Sequence, residues 1–332
     1  MILVTGGTGL VGMHLLLELT QENTPVRSTF RSMEKVKEVE AFFAFAKAEK
    51  QFKTIDWIQA DITDIPMLKL AFKGITHVYH CAALISFDPY DFQKLLKTNV
   101  EGTANVVNLC LSHQVKKLCY VSSIATLSKL PNNPITEENI WDPNETNSVY
   151  AISKYGAEME VWRATQEGLE AIIFNPTVIL GEGDYTKGSG VLCNHVIKEK
   201  NFYSKGGSGF VDVKDVVHLM IQGLSSSITK ERYILVGENT SYKDILQRMA
   251  KQFSKKTPKK ALSNGLLNIL VAGDNLLGMF TRKRKMTRIS AKSIQEMKRF
   301  SSEKAKQELS YIPTPIEETL ERIGRHIATK NL

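Results

Sequence analysis

The stretch Ile2-Leu3-Val4-Thr5-Gly6-Gly7-Thr8-Gly9-Leu10-Val11-Gly12 points to the architecture of the whole chain. Four residues of apolar and β-branched character run straight into a turn with four glycines in seven positions, and an amphipathic stretch follows to about Glu22. The first piece reads as a strand and the last as a helix. Between them, Gly7-Thr8-Gly9-Leu10-Val11-Gly12 satisfies the GxGxxG pattern. Glycine lets the backbone turn tightly and approach a pyrophosphate, while the helix start offers unpaired N–H donors and a favourable dipole. A glycine-rich turn that binds nothing is the plainer alternative, but the strand before it and the helix after it favour a nucleotide. Thr5, Gly6, Gly7, Thr8, Gly9, Leu10, Val11 and Gly12 are therefore the first expected cofactor contacts.

Outward from this turn, Val26–Arg31, Ile55–Gln59, Val78–Ala82, Leu118–Ser122 and Ala171–Phe174 read as further strands, most of them separated by helical intervals. That alternation predicts a parallel sheet covered on both faces, and right-handed connections make it an α/β, Rossmann-like, doubly wound sheet. Residues 1–180 form the expected dinucleotide-binding core. Residues 181–332 form a smaller, mostly helical substrate region with some return to the core. Leu262–Phe280 predicts one or two helices, interrupted or bent near Gly273. A core or lid helix is the first reading of it. A membrane-surface helix is the second, favoured by the Arg282-Lys283-Arg284-Lys285 run that follows.

The chain has 332 residues, 42% apolar and 23% charged, enough to supply and solubilise a substantial core. Cys81, Cys110, Cys119 and Cys193 lack paired CxxC spacing, so free thiols are expected and no metal. Met1 leads directly into the first strand without a basic and cleavable segment, and no apolar run reaches membrane-spanning length. A cytoplasmic enzyme is the expectation. The net charge of +8 is uneven: Lys255–Arg299 holds twelve Lys or Arg against two acids. Such a patch is most often a solvated face, though it suits an anionic ligand, RNA or a membrane surface. Nucleic acid is disfavoured, because no zinc finger or RNA-binding motif accompanies it.

A ribose-binding acid often stands about 20 residues after the glycines in NAD-selective folds. Here Val26–Ser32 contains no acid but does contain Arg27 and Arg31. Arg31, nearer the C-terminal edge, suits a 2′-phosphate through its guanidinium fork. NADP is thus the expected cofactor, with NAD as the other candidate. In Tyr150-Ala151-Ile152-Ser153-Lys154 the i,i+4 spacing puts phenol and ammonium on one helix face. The ammonium is expected to lower the tyrosine pKa and let it exchange a proton with a carbonyl or alcohol oxygen. Tyr120-Val121-Ser122-Ser123 reads as a strand ending in hydroxyls, where Ser123 would polarise a carbonyl. A helix contact and a turn cap are the bland readings of these residues.

Together these residues resemble the extended short-chain dehydrogenase/reductase family of the NAD-dependent epimerase/dehydratase type. Thr5–Gly12 also matches its TGxxGxxG, and Asp61-Ile62-Thr63-Asp64 resembles its DxxD segment, where Asp61 and Ile62 would meet adenine. His80-Cys81-Ala82-Ala83 resembles its HxAA strand end, with Cys81, Ala82 and Ala83 lining the cofactor. The resemblance implies that Tyr150 is the general acid, that Lys154 binds nicotinamide ribose, that Ser123 positions the substrate oxygen and that Asn99 holds geometry and water. Ser122, Asn175 and Pro176 would complete the cofactor contacts. Phe210-Val211-Asp212-Val213-Lys214-Asp215-Val216 continues the likeness, and Leu309-Ser310-Tyr311 carries it almost to the C terminus, with Ser310 where a glycine is often found. A homodimer is a family-level expectation.

Val26-Arg27-Ser28-Thr29-Phe30-Arg31 is similar to dihydroflavonol 4-reductase-like members, which implies an NADP-dependent reductase of a ketone or aldehyde, reversibly an alcohol dehydrogenase. The likeness does not fix dihydroflavonol as the substrate, because Phe87–Phe92, Leu127–Thr136 and Gly181–Gly209 can build a different pocket; a small carbonyl or alcohol, a hydrophobic one included, is the expected partner. The alternatives are a nucleotide-sugar epimerase or dehydratase, a hydroxysteroid dehydrogenase-like enzyme and a non-catalytic NADP-sensing regulator. Against the first, Gly207-Ser208-Gly209 stands before Phe210 where those relatives often carry an arginine.

Overall fold

Leu3 and Val4 are neighbours whose side chains point to opposite faces of a strand, and both are fully buried. Val4 joins a core with Leu15, Leu16, Val216 and Met220, whereas Leu3 joins another with Leu68, Val106, Val107 and Val161. A strand covered on both sides has to read as a continuous apolar run, as Ile2–Val4 does. The computed structural model, which describes residues 1–128, 134–284 and 287–330, places this strand, β1 (Ile2–Thr5), inside a seven-stranded sheet. Its companions are β2 (Val26–Phe30), β3 (Asp56–Gln59), β4 (His77–His80), β5 (Lys117–Val121), β6 (Ala171–Pro176) and Glu231–Leu235. The order is Glu231–Leu235, β6, β5, β4, β1, β2, β3, and every neighbouring pair is parallel.

The chain winds outward in one direction from β1 to β3 and in the other from β4 onward. Ile2 pairs with Val26 on one side and His77 on the other. The crevice for a ligand therefore opens beyond the C-terminal ends of β1 and β4. Gly6 and Cys81 lie there, and the Cys81 N–H donates to Thr5 O at 3.1 Å, tying the two strand ends together. The doubly wound expectation holds, and Glu231–Leu235 adds an edge strand beside β6.

The rest is smaller and largely helical after Thr240. A three-stranded sheet joins Glu238–Ser241, Gly207–Asp212 and Val178–Leu180. Asp212 fastens the C-terminal helix Ile316–Thr329 to it, accepting from Thr319 Oγ1 at 2.6 Å and from Arg322 at 2.7 Å. Asp215 accepts from Tyr311 and Thr314. Ser310 closes the preceding helix, Glu303–Leu309, in the left-handed region at φ +53°. That conformation suits glycine and strains any residue with a Cβ by about 1–2 kcal/mol. Ser310→Gly is therefore expected to stabilise the fold by about 0.5–1 kcal/mol once glycine's extra unfolded-state entropy is subtracted. Urea unfolding checks it, and an unchanged or lowered midpoint would show that Ser310 is not strained.

The Leu262–Phe280 region departs from expectation. One unbroken helix, Asn264–Thr281, runs through Gly273. A glycine inside a helix costs only about 1 kcal/mol relative to alanine, too little to stop it. Only one edge of the helix is buried: Leu267 and Val271 form a small core cluster with Ala291, while Ile269, Leu270, Leu276, Leu277 and Phe280 are exposed. No described helix is long and apolar enough to cross a membrane. Lys285 and residues 129–133 of the Leu127–Thr136 segment lie outside the described residues. The four cysteines are free thiols; Cys110, Cys119 and Cys193 are buried and Cys81 is half-buried.

Candidate active site

The glycine turn divides its labour among its glycines. Gly6 has φ +73°, and a Cβ there would lie 2.6 Å from the Ala82 nitrogen, so the turn and the β4 end are in contact. A Cβ on Gly12 would meet Gly6 O at 2.2 Å, so this glycine lets the first helix (Leu10–Gln21) pack against the turn. Gly7 presses on Ser28 of β2. Gly9 is different: a Cβ there would come no nearer than 3.3 Å to one protein atom, and no side chain caps the helix that begins after it. The open side of Gly9 and the uncapped helix start form a cradle that fits a pyrophosphate.

The two arginines of β2 part company. Arg27 donates to Asp56 at 2.7 Å and to the carbonyls of Ala71 and Lys73, which occupies its fork in the scaffold. Arg31 lies just past the strand, 65% exposed, with Nη1 3.6 Å from Asp61 Oδ2. Asp61 Oδ1 accepts from the Thr63 N–H and hydroxyl at 2.9 and 2.8 Å. Burial pushes the Asp61 carboxyl upward, but the Thr63 hydrogen bonds and Arg31 outweigh it and hold it below its ordinary value. Ile62 is buried, and its carbonyl accepts from Asn105 Nδ2 at 3.0 Å. Arg31 and the DxxD segment thus come together at the β2 and β3 ends.

Tyr150 and Lys154 project from the helix Val149–Gln166, which Ser148 caps through the Ala151 N–H. Ser123, just past the end of β5, accepts the Ala125 N–H on its hydroxyl at 3.1 Å and stands beside the Tyr150 phenol. Burial pushes that phenol up to about 12, and Ser123 only partly opposes it. The lowering expected from Lys154 is not found. Lys154 Nζ instead donates to Tyr120 Oη at 2.6 Å and to the Val121 carbonyl at 3.0 Å. Buried at 2% exposure, the ammonium is itself depressed to about 7 by desolvation, against the pull of Glu158 and Cys81. A lysine that is only half charged near neutrality, and turned onto another phenol, cannot hold Tyr150 down.

Tyr120 belongs to a buried polar chain that the residue pattern did not reveal. His80 bonds Thr5 Oγ1 at 2.6 Å and Thr103 Oγ1 at 2.9 Å, and its ring stacks on Tyr120 at 5.3 Å. Burial, then Lys154, lowers His80 to about 3, so the ring is neutral. Asn99 sits in a π-helical turn, Leu96–Glu101, a local widening frequent at functional sites. Its amide accepts from the Leu84 N–H at 2.7 Å and donates to Leu84 O at 3.0 Å and Ser153 Oγ at 2.9 Å. It therefore clamps the chain just after Cys81-Ala82-Ala83 to the Tyr150 helix.

Glu158 is the other residue missed. Fully buried, it accepts from Ser122, from Thr126 at 2.9 Å, from Asn175 at 2.9 Å and from Trp162 at 3.3 Å, and it pairs with Arg232 at 3.3 Å. The Ser122 side chain thus faces this carboxylate. Asn175 Nδ2 also donates to the Ser123 carbonyl, while its buried Oδ1 has no partner among the described residues and leaves one acceptor open beside Pro176. Over Tyr150 lies Phe87, ring centroids 5.4 Å apart, and Phe87 is about half exposed. The mouth above the phenol is therefore apolar.

Residues 2–237 match the model of the NAD dependent epimerase/dehydratase family. The protein named "Putative dihydroflavonol 4-reductase" from Synechocystis sp. is 28% identical over 326 residues, covering 96% of this chain and 91% of the relative. Sterol demethylase protein B of Methylococcus capsulatus is 25% identical over 317 residues, covering 94% and 93%. In fold, the chain superposes on UDP-glucose 4-epimerase with UDP-glucose from Thermotoga maritima with a TM-score of 0.78, 18% identity, and coverage of 100% of this chain and 99% of that one. These three names differ. What they share with this chain is ancestry or fold, and an NAD(P)-type dinucleotide fits that fold.

Proposed function

The chain belongs to the NAD-dependent epimerase/dehydratase family and is an NAD(P)-binding oxidoreductase, and from that premise we propose that it is an NADP(H)-dependent reductase of apolar ketones or aldehydes. The observation that carries this reading is the Tyr150 phenol, with Ser123 beside it and the Phe87 ring over it. Bound in the glycine cradle, the dinucleotide would supply hydride. Ser123 and Tyr150 present two hydroxyls to one substrate oxygen. Tyr150, protonated throughout the neutral range, donates its proton as the carbonyl becomes an alkoxide. Lys154 holds the β5 end through Val121 and Tyr120 and stands ready for a ribose hydroxyl; Asn99 keeps the Leu84 backbone in register.

A second reading, a nucleotide-sugar epimerase or dehydratase with the same Tyr150, draws more direct support from the family model and from the Thermotoga maritima likeness. The residues pull the other way. Strand Gly207–Asp212 is buried along its length, and its Gly207-Ser208-Gly209 offers no cation to a sugar-linked diphosphate. A panel of apolar carbonyls assayed for NADPH oxidation, beside UDP- and dTDP-sugars assayed for conversion, separates the two. Carbonyl-dependent NADPH oxidation is expected. Sugar conversion without it would move the assignment to the second reading, and cofactor binding without any turnover would favour a regulator.

Arg31 supports the NADP preference because its fork is exposed and only loosely held by Asp61. Losing a charge-assisted contact to a phosphate costs about 1.5–3 kcal/mol. Arg31→Ala is thus expected to weaken NADPH binding by about 10- to 100-fold and NADH binding by less than about twofold. Titration of cofactor fluorescence measures both, and equal losses would reject Arg31 as the phosphate clamp.

A further inference from the structure

We propose that the outer face of helix Asn264–Thr281 is a docking surface for a bilayer carrying anionic lipid headgroups. This goes beyond the redox reading and does not depend on it. Ile269, Leu270, Leu276, Leu277 and Phe280 are 69%, 43%, 60%, 65% and 81% exposed. Steps of three and four residues align Ile269, Gly273, Leu276 and Phe280 in one stripe, with Leu270 and Leu277 beside it. A surface helix that faced only water would carry charges along that stripe. Its buried edge, Leu267 and Val271 against Ala291, fixes the helix to the protein and leaves the stripe outward.

The surroundings supply the charge. Lys259 and Lys260 are exposed before the helix, Arg282 and Lys283 immediately after it, and Arg288 and Lys292 beyond, while Lys256 pairs with Glu199 at 3.4 Å. Among the described residues from Lys255 to Arg299 no acid is exposed; Asp274, the helix's own acid, is 17% exposed and lies 3.7 Å from Arg284. An apolar stripe flanked by cations is complementary to acyl chains beneath acidic headgroups. A second copy of the chain is the less suitable occupant, because a symmetric contact would press two strongly positive regions together. The helix is not apolar enough to cross a membrane, so it would lie in the interface plane. It is also tied to the substrate mouth: the Arg284 N–H donates to Asp88 Oδ2 at 2.9 Å, and Asp88 follows the Phe87 that covers Tyr150.

Flotation of the full chain with phosphatidylcholine vesicles, with and without phosphatidylglycerol, tests this at low and high salt. Binding to the phosphatidylglycerol vesicles is expected, weakened at least about tenfold by high salt and by Arg282→Glu with Lys283→Glu. Leu277→Glu with Phe280→Glu should abolish it while leaving the circular dichroism spectrum unchanged, since both side chains stand in solvent. Failure to float, equal binding to pure phosphatidylcholine, or indifference to these four substitutions would overturn the proposal. A dimer in sedimentation that Phe280→Glu dissolves, in a chain that does not float, would overturn it too and assign the face to self-association.

Discussion

Tyr150→Phe is expected to lower kcat for carbonyl reduction by about 10³, within the range that a positioned proton donor contributes, while NADPH binds as before. Phenylalanine keeps the ring that packs on Phe87 at 5.4 Å, so the pocket wall survives. What disappears is the phenol hydroxyl beside Ser123 and the proton it delivers. The pH dependence has a sign. Burial holds the phenol near 12, so through the neutral range it is an acid with its proton on. Reduction should be insensitive to this group across that range, whereas alcohol oxidation, which needs the phenolate, should accelerate as pH rises. Steady-state rates in both directions, with a cofactor titration of each protein, make the check. A variant that retains more than about a tenth of wild-type turnover would remove Tyr150 from the acid role.

The parts of this candidate site that lie close together along the chain are legible in the sequence. A glycine turn between a strand and a helix, Arg31 in place of an acid, and Tyr150 four residues before Lys154 all express constraints of local backbone geometry. Contacts across the sheet are not. Tyr120 sits on β5 with the apolar period of a core strand, and nothing near it in sequence announces that Lys154, 34 positions away, will donate to its hydroxyl. The consequence was a wrong sign for the Tyr150 shift: spacing placed the ammonium beside the phenol, but burial dominates and the ammonium turns elsewhere. Glu158 offered a signal that local reasoning can use. It continues the Tyr150–Lys154 spacing by four more residues, on a helix whose Ala157, Val161 and Ala164 are buried, and an acid on such a face needs partners. The helix Asn264–Thr281 failed in the opposite way. Its apolar run promised burial, yet apolar sequence says what a segment would rather touch, not whether this chain supplies the partner.

Lys154→Met should carry the second large effect, and it should run in opposite directions for activity and stability. Turnover is expected to fall by about 100-fold or more, because the residue that would meet the ribose and steady the β5 end is gone. The fold of the cofactor-free protein should become more stable near neutral pH by about 1–3 kcal/mol, the relief of a buried charge less the two lost hydrogen bonds to Tyr120 and Val121. The sign follows from proton counting. Lys154 gives up its proton at about 7 in the folded protein because burial disfavours the ammonium, whereas a lysine in the unfolded chain keeps it to about 10.4. Between those limits the unfolded state holds more protons, so wild-type stability rises with pH, and below about 7 the penalty is full and constant. Methionine removes that slope. The gain should therefore be largest at pH 7 and below and shrink as pH climbs toward 10, a pattern that a simple gain of apolar packing would not produce. Urea unfolding of both proteins across this range reads it directly. Parallel stability curves would mean that Lys154 is not the depressed base, whatever happens to turnover.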